Sequence, residues 1–403
     1  MHYAWVILIC CCLIEIGSMG AVANCLGLYV VPVCEEFGIG AAAFSLYFTI
    51  QNISVAIASS FAGKLMTKYG VKKTLLVAII INAIWFAGLS MAQSITAFYV
   101  LGALIGLTFS LAMFLPVPAL ITAWFAEKRG FAMGLAMAFA GIGGAGFSVV
   151  YSNIIEVFGW RTSYMAMAVI SLVIILPCVI FFLKDTPEQK GCLPYGKADT
   201  AAIETENGNI LTGIDASGVL KRGIFWATIL VGGLAAYVCN NITYLSAHGS
   251  TVGLSIVTSG SLISAALIGS MIGALVLGSL ADKIGIKRTF YVACTIVIAG
   301  TALLVIGNGF IVLFVASVAF GFSSAIYTTM MPLLVQELFG SKDYGTIYSY
   351  TVAGMSFIAA MSCILIGLLY DITGAYVAGL LVALTAYVIF MAAITLMLRR
   401  KYY

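Results

Sequence analysis

The chain has 403 residues, of which 63% are hydrophobic and 8% charged, with a formal net charge of +4. A soluble domain carries about 25% charged residues, so this chain cannot cover itself with a water-facing surface. Its apolar residues come in runs of roughly 20, each long enough to cross a hydrocarbon core of about 30 Å. Lipid offers backbone amides no partner, so such runs must be helices or strands of a closed barrel. The runs are continuous rather than alternating, which selects helices.

The spacing predicts twelve spans in an all-α membrane protein. The first, 4–32, follows only Met1, His2 and Tyr3, lacks a basic leader and reads as a retained helix. It carries Glu15, the clear ionisable residue near mid-span, about 16 Å along the helix from Ala4. A carboxyl with no Lys or Arg at its depth is able to take and release a proton. The competing reading is a Glu held neutral by polar neighbours with no part in coupling. Asn24 lies nine positions on, about 180° around a regular helix, so the two cannot squarely face one cavity. Cys10, Cys11 and Cys12 point about 100° apart and cannot share one ion, so they read as small apolar residues.

Spans 43–66, 74–93, 97–123, 131–156 and 162–183 complete a first half, residues 1–183. Gln51 lies in the second span. Pro116 and Pro118 are expected to bend the fourth. The glycines from Gly130 to Gly146 let the fifth helix pack closely. Residues 184–222, with Pro187 and Pro194, are the one long polar stretch and read as a linker. The second half, 223–403, holds spans 223–247, 254–280, 288–307, 310–335, 344–369 and 375–398, with Pro332 in the tenth. Asn240, Asn241, Tyr244, Tyr327, Tyr348 and Tyr350 join Asn24 and Gln51 as a neutral polar set suited to hydrogen-bonding a solute. Trp5, Trp160, Tyr402 and Tyr403, near span ends, read as interface anchors.

Charge fixes an expected orientation. With twelve spans, 18 of the 19 Lys and Arg residues fall on one side, and only Arg161 falls on the other. The positive-inside rule makes that basic face cytoplasmic, with both termini there. The opposite face carries Glu35, Glu36, Glu156 and Asp371. A nucleic-acid partner would need a basic stripe with interleaved aromatics, and none exists.

The halves resemble each other at an offset of 215 residues: Gly63 with Gly278, Gly70 with Gly285, and Lys72-Lys73 with Lys287-Arg288. Tyr29 pairs with Tyr244, Gly38 with Gly253 and Gly159 with Gly374, while Pro118 and Pro332 are one residue off. Parallel repeats with a site between them at mid-depth are a transporter architecture.

The segment Gly278-Ser-Leu-Ala-Asp282-Lys283-Ile-Gly285-Ile-Lys287-Arg288 resembles the signature loop of the major facilitator superfamily, G-x-x-x-D-R/K-x-G-R/K-R/K. The first-half copy, Gly63 to Lys73, has Thr67 where that signature has Asp. Trp124-Phe125-Ala-Glu-Lys128-Arg129-Gly130, Gly141-Ile-Gly143-Gly144 and Gly159-Trp160-Arg161 resemble the monocarboxylate and oxalate/formate branch. The resemblance implies a gating latch at Gly63, Gly70, Lys72 and Lys73, and at Gly278, Asp282, Lys283, Gly285 and Arg288. It closes the cytoplasmic face and stabilises the outward-open state. The branch's carboxylate-binding cations are replaced here by Ala274, Thr351 and Asn24, which argues against a dianion such as oxalate.

The expected function is secondary active transport of a small organic solute, with a proton-coupled monocarboxylate carrier as the leading form. A proton-driven efflux carrier of lipophilic or cationic compounds is the alternative. A non-transporting sensor in the same fold would need a sizeable soluble appendage. The expected partners are the solute, a proton and the lipid bilayer of the cell membrane, with the chain acting as a monomer. No nucleotide-binding glycine loop occurs and the only histidines are His2 and His248, so no enzyme, metal or cofactor is expected.

Overall fold

The structure, a computed structural model, describes residues 2–196, 214–254, 256–373 and 376–398. Expectations that fall on Lys197, Gly374, Arg399, Arg400, Lys401, Tyr402 and Tyr403 lie outside those residues, as does the side chain of Asp371. Helix α1 is Ala4–Phe37 and continues through Pro32 past its expected end. α2 is Ala41–Tyr69, α3 Val71–Ser90 and α4 Ile95–Trp124. The run Arg129–Phe181 reverses at Gly159, whose φ of 81° only glycine adopts readily. It therefore forms two passes, α5 (129–158) and α6 (160–181).

α7 (223–251) combines Gly223–Asn240, a 3₁₀ turn at Asn241–Tyr244 and Leu245–Thr251. α8 is Ile256–Ile284, α9 Ile286–Ile306 and α10 Phe310–Phe339. α11 is Tyr344–Thr373 and α12 Val377–Met397. Large apolar side chains such as Val77, Phe181, Trp226, Ile311 and Leu368 stand exposed on the outside. An apolar exterior of this extent suits lipid rather than water.

The repeat is visible in the backbone. Gly70 and Gly285 turn α2 into α3 and α8 into α9 with φ of 86° and 85°. Among the described residues, three helices contain a π-helical turn: Ile16–Gly20 in α1, Ser110–Phe114 in α4 and Ile326–Met330 in α10. The α4 and α10 turns are each followed by a proline, Pro116 and Pro332. Pro116, rather than Pro118, is therefore the structural partner of Pro332. The missing proline donor is met by local rewinding, so the expected bend takes the form of a widened turn.

Two hydrophobic clusters fill the bundle, one built from α1–α6 and one centred on α7–α12. The halves meet where α2 packs on α11 and α5 on α8. Gly63 lies against Gly345, Thr346 and Ser349. Gly130 and Gly278 lie backbone to backbone, and Gly134 lies against the Ala274 carbonyl. Farther along α5, a β-carbon on Gly141 would be 3.4 Å from Met271, and one on Gly146 would meet nothing. The α5–α8 seam is thus tightest at the basic face and relaxes to ordinary side-chain contact by Gly141.

Of the aromatic residues expected to anchor the lipid interface, Tyr402 and Tyr403 lie outside the described residues, and Trp5 and Trp160 make contacts within the protein. Trp5 packs edge-on against Phe125 and Tyr195. Trp160 is buried and donates to Glu36 at 2.6 Å.

Candidate functional site

The three π turns converge at mid-height. Met19 belongs to the first, Met113 and Phe114 to the second, and Tyr327 and Thr328 to the third. With Glu15, Met137, Tyr348, Val352 and Met355 they line a cavity of about 30 Å³ between the halves. That volume admits a water or two. An extra residue per turn displaces side chains from the 3.6-residue phase and widens the helix, a device common at functional sites.

Glu15 is 1% exposed, and its Oε1 has no protein hydrogen-bond partner among the described residues. No Lys or Arg is among the residues lining the cavity. Tyr327 and Tyr348 line the same cavity as Glu15. The polar lining is Glu15, Tyr327, Thr328 and Tyr348, while four methionines, Phe114 and Val352 form the rest of the wall.

Of the eight residues expected to bind solute, Tyr327 and Tyr348 reach this cavity. Asn24 donates to Ala140 O at 3.2 Å, which ties α1 to α5. Asn240 donates to Ala359 O at 3.2 Å and to Ser362 Oγ at 2.7 Å. Asn241 donates to Tyr237 O in its own helix, at 2.9 Å. Gln51 is buried on α2, where Gly106 of α4 packs on its backbone. Tyr244 stacks on Tyr376, and Tyr350 lies under the Lys64 ammonium at 5.8 Å. The helix-phase argument that separated Asn24 from Glu15 assumed a regular helix, but a π turn and a 3₁₀ turn intervene.

The methionines were not among the expected site residues. An apolar residue in an apolar span carries no signal of its own, and their common feature is membership of, or proximity to, the widened turns.

At the basic face, Asp282 accepts hydrogen bonds from Gly130 N at 2.8 Å and Phe131 N at 2.7 Å. A carboxylate of one half thus satisfies open amides at the N-terminus of α5 in the other. Thr67, its counterpart, donates to Gly63 O in its own helix at 2.9 Å. Asp185 accepts from Lys72 N at 2.7 Å and so covers the start of α3. A larger cavity of about 860 Å³ opens on this face, bordered by Thr67, Arg129, Asp282, Lys342, Tyr344 and Gly345. Lys342 pairs with Asp215 at 2.7 Å, and the Asp215 carboxylate holds the Lys342 ammonium above its ordinary pKa.

The carboxylate-binding positions of the similar branch are closed by packing. Ala274 is buried with its carbonyl against Gly134, and the buried Thr351 donates to Ile347 O at 3.0 Å.

Twelve helices in two similar halves, with a buried acid in a cavity between them and glycine-sealed loops at one end, define a membrane transporter of the alternating-access type. The sequence profile of the Major Facilitator Superfamily matches residues 8–349 and 241–402, and the chain belongs to this family. It is 27% identical to the MFS-type transporter YhjX of Escherichia coli over 316 residues, covering 75% of this chain and 73% of that one. It is 24% identical to monocarboxylate transporter 13 of Rattus norvegicus, covering 83% and 76% of the two chains. It is also 24% identical to the oxalate:formate antiporter of Oxalobacter formigenes, covering 80% and 75%. The fold matches that of the E. coli fucose:proton symporter FucP with a TM-score of 0.72 at 16% identity, over 99% of this chain and 100% of that one. It matches the proton:xylose symporter XylE with a TM-score of 0.75 at 12% identity, over 97% and 94%. The chain is a secondary transporter and not an enzyme.

Proposed function

We propose that the chain carries a small monocarboxylate together with a proton, and that Glu15 is the proton-binding group. The observation that carries this reading is a fully buried carboxyl in a cavity between the halves with no cation lining it. An ionised Glu15 would repel a carboxylate across so short a gap. Two carboxyl groups sharing one proton attract instead, because like charges at close range cannot both ionise. Anion entry then requires proton entry, and coupling follows from electrostatics.

Residues 1–183 and 223–403 are the units that rock against each other, joined by 184–222. The basic face is cytoplasmic, as the 18-to-1 charge split requires. The tight end of the α5–α8 seam is then the cytoplasmic gate. Asp282 on the amides of α5 latches that gate, and the glycines on both sides of it allow the contact. The chain acts as a monomer in the cell membrane.

A second reading is favoured by the methionine and aromatic walls around a lone acid, which also suit a lipophilic cation. Uptake into proteoliposomes separates the two. Labelled monocarboxylate should accumulate with an inward proton gradient and lose its gradient dependence in Glu15→Gln. Uptake indifferent to the gradient and unchanged in that variant removes the coupling role. Competition by tetraphenylphosphonium but by no monocarboxylate selects the second reading.

A further inference from the structure

We propose that the solute is amphipathic, with a single carboxyl group on a short, unsubstituted apolar chain. This rests on the proton-coupled monocarboxylate reading and names the subclass. The polar groups of the cavity are Glu15, Tyr327, Tyr348 and Thr328. Thr328 donates to Ser324 O at 3.0 Å and is engaged within its own helix. Glu15 and the two tyrosines remain as polar side chains lining the cavity, sufficient for one carboxyl group.

The rest of the wall offers a solute only carbon and sulfur: Met19, Met113, Phe114, Met137, Val352 and Met355. A second carboxylate or a hydroxyl on the solute would face that wall and lose its water without replacement. No relief comes from the positions where the similar branch carries cations. Asn24, which donates to Ala140 O, is uncharged, Ala274 is sealed against Gly134, and Thr351 is hydrogen-bonded within α11.

The cavity is small as it stands, at about 30 Å³. Methionine has three rotatable side-chain bonds and fills irregular space at little cost, so these walls can yield to a chain of a few carbons. Each methylene taken from water into such a wall contributes about 0.8 kcal/mol, which is about fourfold in affinity.

The test is a series of dissociation constants for the purified full-length protein in detergent at acidic pH, read from ligand-induced thermal stabilisation. The ligands are acetate, propionate, butyrate, lactate, oxalate and 1-butanol. Affinity should rise about fourfold per methylene from acetate to butyrate. Lactate should bind more weakly than propionate, and oxalate and 1-butanol should produce no shift. In Val352→Thr, which keeps the side-chain shape, and in Met113→Gln the slope along the series should flatten. A flat series in the unaltered protein, or lactate binding tighter than propionate, overturns the apolar-chain proposal while monocarboxylate binding itself stands. Stabilisation by tetraphenylphosphonium and by none of the acids overturns the parent reading, and this proposal with it.

Discussion

The two copies of the signature loop bring the halves together in the same way but secure them differently. Gly63 lets α2 approach α11, and Gly278 lets α8 approach α5, each by removing a side chain from the contact. The turns that follow are nearly superimposable in φ, at 86° for Gly70 and 85° for Gly285. Only the second copy adds a charge: Asp282 bonds two amides of α5, while Thr67 bonds only its own helix. Backbone approach and electrostatic locking are therefore separable properties of this loop. The repeat conserves shape on both sides and charge on one.

Removing the charge should produce the largest change. Asp282→Asn replaces two charge-assisted hydrogen bonds with weaker neutral ones. Hydrogen bonds to charged groups contribute about 1.5–3 kcal/mol, so the closed basic face should become about 10- to 100-fold less favoured. Met137→Cys in the central cavity reports this, because an impermeant maleimide applied from the basic face reaches it only when that gate opens. Labelling should accelerate accordingly. An unchanged rate would reduce the Asp282 contacts to ordinary helix capping.

Supplying the missing charge should produce a smaller effect of opposite sign. Thr67 borders the same cavity as Tyr344 and Gly345, the first residues of α11. In Thr67→Asp a carboxylate would face the open amides of that helix. Such an interaction contributes about 0.3–1 kcal/mol, so labelling of the Met137→Cys reporter should slow by about two- to fivefold. Faster labelling would mean that the first loop is held by packing that the added carboxylate disturbs.

The span count, the repeat and the sealing glycines were legible because each follows from a local rule: hydropathy for spans, φ > 0 for the turns, small residues for close helices. Glu15 was legible because an acid in lipid is rare enough to signal by itself. The cavity wall was not. Met19, Met113 and Phe114 reach it through π turns, and an apolar residue in an apolar span carries no signal of its own. The asparagines were legible as polar groups but not by what they bond. Asn24, Asn240 and Asn241 each donate to a backbone carbonyl. Polarity within a span marks a satisfied contact as often as it marks a site.

The smallest effect concerns a clamp confined to one half, and it tests whether the latch owes its influence to bridging both halves. At the opposite face Arg161 bonds Glu36 at 2.5 Å and Ala92 O at 3.0 Å, and Trp160 bonds Glu36 at 2.6 Å. These contacts join the end of α1 to the start of α6 and the end of α3, all within α1–α6. The Arg161 guanidinium, and then the Trp160 indole, hold the Glu36 carboxyl below its ordinary pKa. A carboxylate with a depressed folded pKa contributes stability that is present above its unfolded pKa and fades as pH falls through the folded value. Both side chains are well exposed, at 38% and 43%, so solvent screening keeps the contribution below about 1 kcal/mol. Glu36→Gln should therefore lower the melting temperature slightly at neutral pH and not at all in acid. It should leave labelling of the Met137→Cys reporter unchanged at every pH. A change in labelling would mean that a clamp inside one half shifts the equilibrium between the halves, and the basic-face latch would lose its special standing.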